Sequence, residues 1–161
     1  MVGQDQSPAA ERPLAAYGVL AATFLTTAGT ALAALERSGR PIPVRIDLRD
    51  LALIAVGTHK LSRVIAKARV TGFLRAPFTE HRGPAGHGET DDVAAGTGLR
   101  RAVGELLVCP HCLGMWVVGA LLSLHVAAPR VARLVASALT AVFVSDVLQI
   151  AYRVMEDRAA R

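Results

Sequence analysis

Long charge-free runs separated by proline-bearing turns divide this chain. From Leu14 to Leu35, 22 consecutive residues carry no formal charge, which meets the roughly 20 residues a helix needs to cross a hydrocarbon core. Residues 1–13 are polar, with Pro8 and Pro13 among mixed charges, and read as a loose tail. A secretory leader cleaved near Ala31-Leu32-Ala33 is the rival reading of the first run. The run exceeds the usual ~7 to 15 apolar residues, however, and only Arg12 precedes it, beside Glu11.

Ser38-Gly39-Arg40-Pro41-Ile42-Pro43 ends that helix, because proline has no amide to donate and clashes with the preceding turn. Asp47 and Asp50 suit the positive end of a new helix, which the pattern predicts over 51–68. Its first half is apolar, and its second half places Lys60, Arg63 and Lys67 on one face. Residues 69–98, rich in Gly, Pro and charge, predict a mobile loop. Helical character returns over 99–128, with Thr97 as a candidate cap, an apolar run from Leu113 to Ala128, and Trp116 at the interfacial depth indole prefers. A last span is predicted over 134–152, interrupted only by Asp146 and closed by Tyr152 and Arg153. The predicted fold class is all-α, an integral membrane protein of three to four helices, with 47–161 as the main membrane domain. No internal repeat is evident.

Composition agrees: 52% of residues are hydrophobic and 19% charged, and the seven aromatics leave Ala, Leu and Val to supply the apolar bulk. The formal charge of +5 raises nucleic-acid binding, but no basic face interleaved with aromatics is visible, so no nucleic-acid partner is expected. Lys and Arg gather instead at the ends of apolar runs, as membrane topology requires. If 51–68 spans, ten basic residues fall inside and six outside with the N-terminus in; if it lies flat, fifteen fall inside and three outside with the N-terminus out. Both counts place Cys109 and Cys112 on the cytoplasmic side of a bacterial plasma membrane.

Cys109-Pro110-His111-Cys112 spells the active site of an oxidising thiol oxidoreductase, whose first cysteine is activated at a helix N-terminus. No βαβ pattern surrounds it, and the cytoplasm is reducing. Two thiols at this spacing are also half of a tetrahedral zinc site, with His59, His81, His87 and His111 as candidates to complete it, yet no second ligand pair at metal spacing accompanies them. The plainest reading is structural, with Pro110 in a first helical turn where its missing amide is not needed. No cofactor is expected. Asp146 stands among Val142, Phe143, Val144, Val147 and Leu148. An intramembrane carboxylate is expensive, by roughly 2.5 to 3.5 kcal/mol at a helix centre, and should face a partner or water. Lys60 and Arg63 are the natural partners, and Arg63 lies at matching depth.

Four blocks, Thr58-His-Lys-Leu-Ser-Arg-Val-Ile-Ala-Lys, Leu74-Arg-Ala-Pro-Phe-Thr, Gly104-Glu-Leu-Leu-Val-Cys-Pro-His-Cys-Leu-Gly-Met-Trp and Ser145-Asp-Val-Leu-Gln, resemble a bacterial membrane family known as domain of unknown function 1360. The resemblance covers about two thirds of the chain and omits the first span. It implies a membrane protein, in a family with some members called sporulation proteins, and no activity. Two positions depart from the family pattern: Ala68 stands where an acid usually follows the lysine, and His111 where an aromatic is typical. The reading that emerges is a non-enzymatic assembly or interaction component. Its partners are the lipid bilayer, met by a basic cytoplasmic loop, and a protein partner or a second copy. A membrane thiol-disulfide oxidoreductase and a small transporter or channel subunit using Asp146 are the alternatives.

Overall fold

The structure, a computed structural model, describes residues 13–39 and 42–160. All of the expected tail except Pro13, and Arg40 and Pro41 of the connector, lie outside these residues. Six α-helices and one antiparallel ribbon follow in order: α1 (Leu14–Arg37), α2 (Leu48–Lys67), α3 (Gly72–Arg75), β1 (Thr79–Gly86), β2 (Glu89–Ala94), α4 (Gly98–Val108), α5 (Pro110–Ala127) and α6 (Pro129–Ala159). The helical class holds, and α1, α5 and α6 are long and apolar enough to cross a membrane.

Side-chain pairings fix the helix directions. Asp50 and Lys60 of α2 meet Arg133 and Asp146 of α6, so these two helices run parallel. Phe24 of α1 stacks edge-on against Trp116 of α5, centroids 5.2 Å apart, and Tyr17 donates to Glu105 just before α5 begins. α1 and α5 therefore run together, opposite to the other pair. The four long helices make an up-down bundle with both described ends on one side. α2 lies against α5 and α6, where Ile54, Val117 and Leu121 form the core. Its approach to α6 is close because Gly57 faces Ala136, whose Cα would lie 3.5 Å from an added Cβ; small residues let helix backbones come together in this way.

α4 and α5 are separate helices, divided by a break at Cys109, with φ −103° and ψ 103°, where Pro110 has no amide to continue the ladder. One expectation requires correction. Residues 69–98 are not a loop. A 3-10 turn (Arg69–Thr71), α3 and the β1–β2 ribbon form a folded cap at the bundle end.

The physical centre of this cap is Arg75, whose side chain is fully buried. Its guanidinium donates to the carbonyls of Ile65 (2.6 Å) and Ala68 (3.1 Å) at the end of α2, to Thr71, to Thr90, and twice to Asp92 (3.0 and 2.8 Å). One arginine thus caps the orphan carbonyls of a helix terminus and ties that terminus to the ribbon. α4 then packs on the ribbon through Gly104, where a Cβ would come within 2.4 Å of the Phe78 carbonyl oxygen.

Candidate functional site

Cys109 is the N-cap of α5, and its sulfur accepts the Cys112 amide at 3.2 Å. Pro110 occupies the first turn, where an amide would be unpaired in any case. Both thiols are free, Cys109 half-buried, and Cys112 and His111 exposed. The histidines weighed as zinc ligands are engaged elsewhere or exposed. His59 stacks edge-on against Phe143 at 5.4 Å, His81 meets Asp92 at 2.9 Å and His87 meets Arg153 at 2.8 Å. Among the described residues no three His, Cys, Asp or Glu side chains gather as a metal site.

The charged residues of the bundle converge more tightly. Lys60 donates to Asp146, while Arg63 turns away and grips Glu89 of β2 through two bonds of 2.7 and 2.8 Å. Asp146 is therefore held by Lys60, and its expected pairing with Arg63 is not formed. Successive helical residues are rotated by about 100°, so Arg63 stands some 60° around α2 and one turn above Lys60. That rotation points it at the cap, where Glu89 waits; nothing local in sequence announces Glu89.

These residues border a cleft of about 600 Å³ between α2, α6 and the ribbon turn. The turn closes it from above: His87 adopts φ +44° between Gly86 (+86°) and Gly88 (+80°), placing its Nδ1 on the Arg153 guanidinium. Left-handed backbone is uncommon for a residue with a Cβ, and the flanking glycines make the rest of the turn accessible.

A second polar cluster, at the opposite end of the bundle, was not legible beforehand. Asp50, buried in the first turn of α2, accepts from Arg133 Nε at 2.9 Å and Nη2 at 2.8 Å, with His125 at 3.7 Å. The only sequence signals were the acid at a helix start and the charge just after Pro129. In the cap, burial pushes the Asp92 carboxyl up, but hydrogen bonds from His81, Arg75 and Thr90 outweigh it and hold the group below the ordinary carboxylate range. Glu105 is likewise lowered, chiefly by the Tyr17 hydroxyl and then by Arg101, against desolvation.

The four blocks singled out in the sequence thus meet in space: Lys60 and Arg63, Arg75, the Cys109 turn and Asp146 all lie at the cap end of the bundle. Comparison with known proteins finds the same segment. The chain is 31% identical over 86 residues to sporulation protein YjcA of Bacillus subtilis (strain 168), which covers 52% of this chain and 73% of that relative. No solved structure matches. The profile of the family described as protein of unknown function, DUF1360, matches residues 53–152, from the second turn of α2 to near the end of the apolar part of α6. The chain belongs to that family.

Proposed function

We propose that the chain is a multi-pass component of the bacterial plasma membrane without catalysis of its own, an assembly or interaction subunit that presents a folded cap on the cytoplasmic side. One observation carries this reading: a polar cap built around the buried Arg75 is fastened to one end of a bundle whose α1, α5 and α6 expose large apolar side chains such as Val19, Leu25, Met115 and Leu148. Such faces suit lipid or a second membrane protein. With α1, α2, α5 and α6 all crossing, eight basic residues among those described, the six from Lys67 to Arg101 with Arg153 and Arg158, fall on the cap side and five, Arg37, Arg45, Arg49, Arg130 and Arg133, on the other, which supports a cytoplasmic cap. A relative named a sporulation protein is compatible with a structural role of this kind.

The cysteines give the test. Cys112 is exposed at the cap side, so an impermeant maleimide leaves it unlabelled in intact cells and labels it once the membrane is opened. Efficient labelling of intact cells overturns the topology. The doubly substituted Cys109→Ser, Cys112→Ser chain inserts and retains its cellular phenotype if the thiols are structural. Thiol-disulfide exchange has one observation in its favour, the Cys109 sulfur at a helix start, and loss of phenotype in a normally inserted double variant would establish that reading instead.

A further inference from the structure

We propose that the cleft between α2, α6 and the ribbon turn binds the phosphate of an anionic lipid, with an acyl chain lying along Val147 and Ile150. The inference rests on the membrane reading above and adds a site and a ligand class to it.

The lining is divided by chemistry. Phe143, Val147 and Ile150 form an apolar wall on α6, while Lys60, Arg63 and Arg153 supply cations. Val147 and Ile150 are 48% and 57% exposed, so the wall continues onto the outer face of the bundle, where a chain could leave the cleft. Depth agrees with a headgroup. Arg63 stands about one turn above Lys60, and Arg153 about two turns above Asp146, so the two guanidiniums form the rim and the Lys60–Asp146 pair the floor.

Charge points to an anion. Three cations face two carboxylates, Asp146 and Glu89. Lys60 and Arg63 each bond a carboxylate, whereas the bond found for Arg153 among the described residues goes to the ring nitrogen of His87. A non-glycine residue in left-handed backbone is an unusual way to make that contact, and such conformations persist where the surroundings enforce them. Guanidinium groups match phosphate oxygens in pairs; Arg153 offers such a pair, and Arg63, whose Nε and Nη2 bond Glu89, adds its remaining Nη1 donors. A free phosphate would meet the same guanidiniums but would make no use of the exposed wall beside them.

The full chain, reconstituted in nanodiscs, is first checked for co-elution with the disc; failure there overturns the membrane reading before any lipid is compared. Native mass spectrometry from mixed phosphatidylglycerol and phosphatidylcholine of matched chains is then expected to show at least fivefold preferential retention of phosphatidylglycerol. Arg63→Gln with Arg153→Gln abolishes the preference, whereas Arg82→Gln with Arg158→Gln, an equal charge loss outside the cleft, preserves it. Equal loss in both pairs reduces the effect to surface electrostatics and overturns the site. Inorganic phosphate should displace the lipid no better than sulfate at equal ionic strength; specific displacement at micromolar phosphate identifies a soluble ligand and overturns the lipid assignment. A photoreactive phosphatidylglycerol needs no variant: it labels peptides carrying Val147 and Ile150, and labelling confined to α1 or α5 is the opposing result.

Discussion

Arg75 and Asp92, seventeen residues apart, form a doubly bonded ion pair inside the cap, the arginine fully buried and the carboxylate nearly so. The pair lies where the end of α2, the α3 turn and both strands come together, and the arginine also satisfies two carbonyls of the α2 terminus. Arg75→Gln strands the Asp92 charge, and breaking a buried pair in this way typically costs about 3 to 5 kcal/mol. The variant should keep the bundle but expose residues 69–98 to limited trypsin digestion in detergent. Arg75→Lys should rescue little, since an ammonium cannot reproduce the planar fork.

Acid should act on the same pair. Asp92 is held below the ordinary carboxyl value in the folded chain, so its stabilising contribution is complete above the unfolded value near ~4 and is lost as pH falls through the folded one. Hydrogen exchange of the ribbon amides, corrected for intrinsic rates, should therefore accelerate as pH falls below about 4. Asp92→Asn should weaken the cap at neutral pH and remove much of that acid dependence.

The choice of Lys60 over Arg63 as the partner of Asp146 is a question of coupling. In a double-mutant cycle, Lys60→Gln and Asp146→Asn should show an interaction of about 1 kcal/mol or more, in the range found for contacting residues. Arg63→Gln should instead add to Asp146→Asn and couple with Glu89→Gln. Thermal unfolding in detergent measures all three; simple additivity of Lys60 and Asp146 would show that the pair contributes nothing.

Gly104 tests the docking of α4. Its missing Cβ leaves room for the Phe78 carbonyl and Ala94, both backbone-anchored. Gly104→Ala should lower stability by about 1 to 3 kcal/mol, as overpacking does, although alanine favours helix. Gly18→Ala, in open space on α1, is the matched comparison and should be neutral or stabilising.

The apolar elements are legible in the sequence, because a run long enough to cross a bilayer is a local property. The run beginning at Leu14 became α1, and the apolar stretches after Pro110 and Pro129 became α5 and α6. Helix ends carried by proline or an acidic cap were also near the surface of the text: Asp47 caps α2 through the Arg49 amide. The last helix runs well beyond the expected 134–152, from Pro129 to Ala159, since proline is tolerated in a first turn and the charged end needs no hydrocarbon to stay helical.

The cap and the pairings depend on contacts between distant parts of the chain. Residues 79–94 show no alternation of apolar and polar positions, the signal from which strands are read, because this ribbon is organised around a buried arginine rather than an apolar face. Glycine, proline and charge then look like a solvated loop. The expected pairing of Asp146 with Arg63 gave way to Lys60 for the same reason: both cations lie on the polar face of α2 about one turn apart, and the choice depends on where the ribbon places Glu89. Periodicity fixes which face a residue occupies, whereas the contact it makes depends on the element that arrives opposite, and that is set by the packing of the whole chain.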